Sequence, residues 1–225
     1  MLAVTTFPPW AWEVYAKTCV QSMIDLWPGP VRVYFEGSAP PAIKGAELRP
    51  LDEIEERTKF LNRTIPKRPG FLWDVKRFCH KVFAQLDAMK DFEKFWWIDA
   101  DVLLVSPVPE HLIEQTEAVT FLGRDSYTET GLIGFNPTHA DFHFFKHMYR
   151  IMYTECRIAE LPYWTDCHAF DAARNGDGEN LTPGGKGFEN VMEQSKFGPY
   201  MTHFKGPRKA EVRRLGGARE ISAHL

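Results

Sequence analysis

The sequence predicts a wound α/β sheet in a single domain. Two observations carry this expectation: a strand, helix, strand order over residues 2–35, and a run from Phe95 to Val105 in which eight large apolar residues flank Asp99 and Asp101. A strand that is apolar at both alternating sets of positions belongs in a sheet covered on both faces. A strand, helix, strand opening starts a sheet whose ligands gather at the carboxyl ends of its strands.

Leu2 to Thr6 reads as the first strand, stopped by Phe7-Pro8-Pro9. From Trp10 to Trp27 the positions Trp12, Tyr15, Ala16, Cys19, Val20, Met23 and Leu26 follow helical spacing, and Pro28-Gly29-Pro30 ends that helix. Val31 to Phe35 is the next strand, which places Thr5, Thr6, Phe7 and Trp10 at a ligand-binding end. Ser38 to Pro50 reads as a loop, Leu51 to Leu61 as a charged helix and Asn62 to Gly70 as a flexible basic segment. Trp73 to Met89 is amphipathic, with Val75, Phe78, Cys79, Val82, Leu86 and Met89 on one face and Arg77, His80, Lys81 and Ala84 opposite. Arg77 and Lys81, one turn apart, suit either a phosphate or acidic metal site or a solvated face.

Strands are expected at Ala118 to Leu122 and Gly131 to Phe135, followed by a long helix from Thr138 to about Cys156. His139, His143 and His147 on that helix lack the acidic partner of a zinc helix and read as surface residues. Leu161 to Asn175 is a further helix carrying Asp166, His168 and Asp171, and Gly176 to Gly187 a mobile loop near the site.

The Asp pair sets the chemistry. Two carboxylates one residue apart inside an apolar run are costly unless a cation neutralises them. In an extended chain, residues two apart point the same way, so Asp99 and Asp101 can share one hard divalent ion. The alternative is a polar turn with both side chains bonded to backbone amides. Ile98 and Val102 close directly around the pair, without the Gly, Pro, Asn or Ser of a turn, and favour the ion.

Charged residues at 25% and hydrophobic residues at 44% exclude a largely disordered chain. The net charge of −3 excludes a general polyanion binder, but it is uneven: residues 205–225 hold six Lys or Arg against Glu211 and Glu220. Such a basic tail suits phosphate, nucleic acid or an anionic membrane, or is simply a solvated terminus. Cys19, Cys79, Cys156 and Cys167 form no C-x-x-C pair and read as apolar residues of a reducing compartment. No segment has the length of a transmembrane helix and Met1 to Phe7 does not read as a signal peptide, so a soluble cytoplasmic protein is expected.

Downstream lies Thr202-His203-Phe204-Lys205-Gly206-Pro207-Arg208-Lys209. A His with Gly three and Lys six residues on, about a hundred residues after an Asp-x-Asp strand, resembles the paired motifs of GT-A glycosyltransferases of the glycogenin and galactosyltransferase type, family 8. The resemblance implies a GT-A fold, with Asp99, Asp101 and His203 ligating Mn²⁺ or Mg²⁺ and Ala100 lying between the Asp ligands. That ion would hold the diphosphate of a nucleotide sugar, expected to be UDP-linked. It implies close backbone approach to the phosphates at Gly206 and charge neutralisation by Lys209. Oxygen ligands suit a hard ion, and an imidazole leans toward Mn²⁺.

Glu129-Thr130-Gly131 lies where the family carries Asn-x-Gly, and Asp166-Cys167-His168 where it carries Asp-Gln-Asp. Glu129 and Asp166 are thereby candidates for the sugar, Thr5, Thr6 and Trp10 for the base, and Arg77 for the ribose or phosphate. The family retains anomeric configuration. The sequence leaves the acceptor open among glycan, protein, lipid and modified nucleobase, and oligomerisation is a way to hold a large one.

Other classes fit less well. Haloacid dehalogenase phosphatases place their first Asp near the amino terminus with Thr or Val four residues on, where this chain has Leu103. Sugar nucleotidyltransferases need a Gly-rich loop after the first strand, absent from Thr5 to Pro9. A non-catalytic sugar or nucleic-acid binding module has no evident use for a diphosphate clamp.

Overall fold

The computed structural model describes residues 1–40, 43–65, 67–187 and 189–212. In chain order the elements are β1 (Leu2–Phe7), α1 (Lys17–Leu26), β2 (Val31–Phe35), β3 (Ala46–Pro50), α2 (Glu55–Leu61), α3 (Val75–Asp91), β4 (Phe95–Ile98), β5 (Val102–Leu104), β6 (Val119–Leu122), β7 (Glu129–Phe135), α4 (Phe142–Thr154), α5 (Asp166–Arg174), β8 (Glu179–Asn180), α6 (Val191–Gln194) and β9 (Met201–His203). Seven strands form one sheet in the order β3-β2-β1-β4-β7-β6-β8, while β5 and β9 form a separate antiparallel pair. Strands β1 to β4 run parallel and β7 antiparallel between β4 and β6, so the wound sheet is mixed.

Strand β4 explains why both faces must be apolar. Phe95 and Trp97 enter a core with α3, α4 and α5, while Trp96 and Ile98 enter a second core with α1, β5 and β9. Each such buried side chain contributes about 2–3 kcal/mol. In the first core Phe170 meets Phe121, Phe135, Phe145 and Tyr149 at centroid distances of 5.5–6.5 Å, which uses much of the chain's aromatic content.

Several expectations are corrected. Strand β3 lies inside the segment read as a loop. Its Ala-Glu-Leu-Arg-Pro sequence carries little apolar signal, and the strand exists because the edge of β2 pairs with it and Arg32 holds Glu47 at 2.8 Å. Helix α4 starts at Phe142 rather than Thr138, and α5 starts only at Asp166, where the Thr165 hydroxyl caps the His168 amide. Cys156 adopts a left-handed conformation just past α4 rather than extending it. Part of the expected mobile loop forms β8, parallel to β6 at the far edge of the sheet. Helix α3 is buried more widely than its stripe predicts: Ala84, placed opposite, is fully buried, and Lys81 is half-buried. Among the described residues no helix is long and apolar enough to cross a membrane.

Candidate active site

The Asp pair does not lie in an extended strand. Strand β4 ends at Ile98, and the Val102 amide donates to the Asp99 carbonyl at 2.9 Å, closing a tight turn over Asp99-Ala100-Asp101. This turn passes the chain from the main sheet to the small one. Alternation therefore does not align the carboxylates; the turn does.

Strand pairing then delivers the third group. In the β5–β9 register Val102 faces His203, and the Phe204 amide donates to the Asp101 carbonyl at 2.9 Å. His203 Nε2 lies 3.1 Å from Asp101 Oδ1. One donor atom each from Asp99, Asp101 and His203 lies within 4.8 Å of the other two, the one such set of three among the described residues.

Cations hold the carboxylates. Lys81 Nζ lies 2.8 Å from Asp99 and 2.9 Å from Asp166 and also donates to the Thr130 carbonyl at 2.7 Å. Lys209 Nζ lies 2.7 Å from Asp101 and over the Tyr15 ring. Of the two readings left open for Lys81, the acidic site is the one the fold adopts. Burial works against its ammonium, but Asp166 and Asp99 outweigh that and raise its pKa. Burial would likewise raise the Asp101 carboxyl, yet His203 and Lys209 hold it well below the usual range. Asp99 is raised, by burial first and then by the nearby Asp101 and Asp166 charges acting against Lys81.

Glu129 departs most from the sequence reading. It does not line the cavity described below; it is buried behind His203, with Oε1 3.8 Å from His203 Nδ1. It accepts from Arg124, Lys205 and the Gly131 amide. Burial would raise its carboxyl, but His203, Lys205 and Arg124 bring it down to about 2. Glu129 thus places negative charge on the Nδ1 side of the ring, while Nε2 faces Asp101. The sequence held no signal for this pairing, because His203 and Lys205 lie more than seventy residues from Glu129.

The Asp pair, with Ala100, forms one wall of a cavity of about 450 Å³ that Thr6, Trp10, Arg77, Lys81, Asp166 and Lys209 also line. Trp10 stands 58% exposed at this cavity, edge-on to Tyr15, so its face is free. Thr6 Oγ1 donates to the Tyr34 carbonyl. Thr5 points the other way along β1: it is fully buried, its hydroxyl has no hydrogen-bond partner among the described residues, and it does not line the cavity. Gly206 is also absent from the lining; its φ of +55° serves the turn after β9. The basic tail is only partly free, since Lys205 and Lys209 are engaged by Glu129 and Asp101. Arg213, Arg214 and Arg219 lie outside the described residues.

Gly131 is where the backbone must come close. A Cβ there would meet His203 Cε1 at 2.7 Å and Nδ1 at 3.0 Å. Gly131→Ala is expected to displace the imidazole and weaken Mn²⁺ binding about 10- to 100-fold, read by manganese titration with electron paramagnetic resonance. Unchanged affinity would show that His203 position does not limit the site.

No family model matches the sequence, and no curated protein matches it. Solved structures do. The chain aligns over 77% of its length, at 13% identity and a TM-score of 0.50, with the apo structure of WbbM, a bifunctional glycosyltransferase, and spans 37% of that chain. Over 76% of its length it matches mouse xyloside xylosyltransferase 1 at 9% identity, with a TM-score of 0.46 and 80% of that chain covered. Over the same share it matches an active-site mutant of LgtC at 13% identity, with a TM-score of 0.47 and 69% covered. Such identities speak to the fold alone: a mixed seven-stranded sheet flanked by helices, the GT-A glycosyltransferase fold.

Proposed function

We propose that this chain is a metal-dependent glycosyltransferase that moves a sugar from a nucleoside diphosphate donor, UDP-linked, to an acceptor hydroxyl. The observation that carries the reading is that Asp99, Asp101 and Lys209 line one wall of a cavity large enough for a nucleotide, with the buried His203 just behind that wall, its Nε2 3.1 Å from Asp101. The donor set fits a hard divalent ion: two carboxylates and an imidazole whose Nε2 faces Asp101 while its buried Nδ1, without a hydrogen-bond partner, faces Glu129. Asp99, Asp101 and His203 would hold Mn²⁺ or Mg²⁺, which when bound supplies Lewis acidity to the leaving diphosphate.

The protein's own groups divide the remaining work. Trp10 and Thr6 would take the base, with Arg77 at the ribose or phosphate. Lys209 reaches the Asp101 wall with its side chain 30% exposed, so it can turn from Asp101 to a phosphate oxygen and neutralise charge as the anomeric carbon–oxygen bond breaks. Asp166, held by Lys81 and by the Thr130 hydroxyl at 2.6 Å, would accept from sugar hydroxyls. A new bond forms between the anomeric carbon and the acceptor oxygen as the bond to the diphosphate breaks, and the acceptor's proton passes to the departing diphosphate; retention of configuration is expected. Glu129 is better placed to orient His203 than to touch the sugar.

Calorimetric titration of UDP and GDP, with and without Mn²⁺, on wild type and His203→Ala tests the reading. UDP is expected to bind only with Mn²⁺, and His203→Ala to weaken it about 100-fold. Equal UDP affinity with and without the metal would remove the proposal.

A further inference from the structure

The donor cavity adjoins a larger one of about 1010 Å³, and Phe71, Asp74 and Arg77 line both. The larger cavity is lined by residues of a single stretch, 63–65 and 67–77, between α2 and the first turn of α3. Arg63, Lys67, Arg68, Lys76 and Arg77 line it, against the one carboxylate of Asp74. All five cations are exposed, and among the described residues no carboxylate lies within ion-pair distance of any of them. For the arginines the pattern elsewhere is the opposite: each described arginine outside this stretch, among them Arg32, Arg57, Arg124, Arg150 and Arg174, has a carboxylate within 4 Å.

What the five touch leaves their charge uncancelled. Arg63 donates to the Thr154 carbonyl and Lys76 to the Leu61 carbonyl at 2.6 Å. Arg68 lies over Trp164 at 5.1 Å and Arg77 over Phe71 at 4.7 Å. The N-terminus of α3 opens on the same space and is capped by Asp74, whose carboxylate accepts from the Arg77 amide, so that carboxylate is taken up by the helix end. A chain of net charge −3 thus concentrates unmatched positive charge beside the end of its donor cavity.

Rings are interleaved with the charges. Phe71 is 55% exposed, and Trp73 packs at 5.7 Å against Tyr163, itself 38% exposed. Rings of this kind take the C–H faces of a sugar, while guanidinium and ammonium groups take carboxylate or phosphate oxygens. The cluster is compact and shared with the donor site rather than drawn out as a stripe along the surface, which separates it from a nucleic-acid track.

We propose that residues 63–65 and 67–77 form the acceptor site and that the acceptor is an anionic carbohydrate, a glycan bearing carboxylate or phosphate groups. The proposal rests on the transferase reading of the neighbouring cavity. A neutral glycan would leave the cations unmatched. An anionic one would match them and present a hydroxyl across Phe71 and Arg77 to the donor sugar.

The test is fluorescence anisotropy on the full chain with UDP and Mn²⁺ present, using four labelled probes: a hyaluronan hexasaccharide, a phosphorylated oligomannose, neutral chitohexaose and a short oligothymidylate. The uronate and phosphorylated glycans separate the two anion sources. One or both should bind about ten-fold or more tightly than chitohexaose, and rising salt should weaken that binding in wild type. Lys67→Glu combined with Arg68→Glu, both exposed and outside the donor cavity, should weaken it about ten-fold further.

Equal binding of chitohexaose, unchanged affinity in the double variant, preferential binding of oligothymidylate, or no binding of any probe would each overturn the proposal. UDP titration on the same samples keeps the two readings apart. Loss of metal-dependent UDP binding in wild type defeats the transferase reading, whereas retained UDP binding without selective glycan binding defeats only the acceptor site.

Discussion

Asp101→Ala will lose the metal-dependent part of UDP binding, about 100-fold or more in affinity at saturating Mn²⁺. Asp101 is at once a donor atom of the proposed ion site, the acceptor for His203 and the anchor of Lys209. Its removal takes away one ligand and releases both His203, the third proposed ligand, and Lys209, the proposed diphosphate clamp. The backbone turn does not depend on the side chain, because the Val102 and Phe204 amides bond to the Asp99 and Asp101 carbonyls. Circular dichroism and thermal unfolding should therefore show an intact fold, and calorimetry a lost ligand. Retained Mn²⁺-dependent affinity in Asp101→Ala would contradict the assignment. Global unfolding of the variant would instead show that the charge network also holds β5 to β9.

Glu129→Gln carries the second large effect, on stability and its pH dependence. Arg124, its side chain only 4% exposed, loses its carboxylate, and a buried charge left without its partner costs about 3–5 kcal/mol. The folded-state carboxyl of Glu129 is depressed from an ordinary 4.5 to about 2. Its contribution, on the order of 3 kcal/mol, is complete above about pH 4.5 and is lost as pH falls from there toward 2. Urea unfolding of both proteins between pH 7 and pH 2 will show the stability gap closing across that window. Parallel pH profiles would mean that Glu129 is not held as an ion in the folded state.

The two effects separate the jobs of two carboxylates that the sequence assigned differently, Asp101 to the ion and Glu129 to the sugar. Asp101 lines the cavity where ligand would bind, whereas Glu129 lies behind the imidazole and would act through His203. Their pKa directions agree because each is wedged between an imidazole and ammonium or guanidinium groups. The network is balanced as it stands, with Lys81 and Lys209 on the acid cluster. A divalent ion and a diphosphate arriving together would leave that balance nearly unchanged, which favours joint over separate binding.

The sequence by itself determined the features that depend on short-range pattern. The apolar run around Asp99 and Asp101 implied a sheet covered on both faces, since no other arrangement buries alternate Phe, Trp and Ile side chains, and β4 lies between two cores accordingly. Helical spacing placed α3 within two residues of its observed bounds and the end of α1 within one, although α1 itself starts only at Lys17, after shorter helical turns over residues 9–16. The His203 to Lys209 spacing put the candidate ligand and clamp in one segment.

Tertiary structure alone decided what pairs across distance. His203 reaches Asp101 through the β5–β9 register, a contact 102 residues apart. Lys81 crosses from α3 to two carboxylates on different elements, Glu129 turns behind the imidazole, and β3 forms because β2 offers an edge. Local sequence encodes propensity and pattern, but the position of a side chain in a site is set by strand register and by the nearest opposite charge. Both exist only once the sheet has closed.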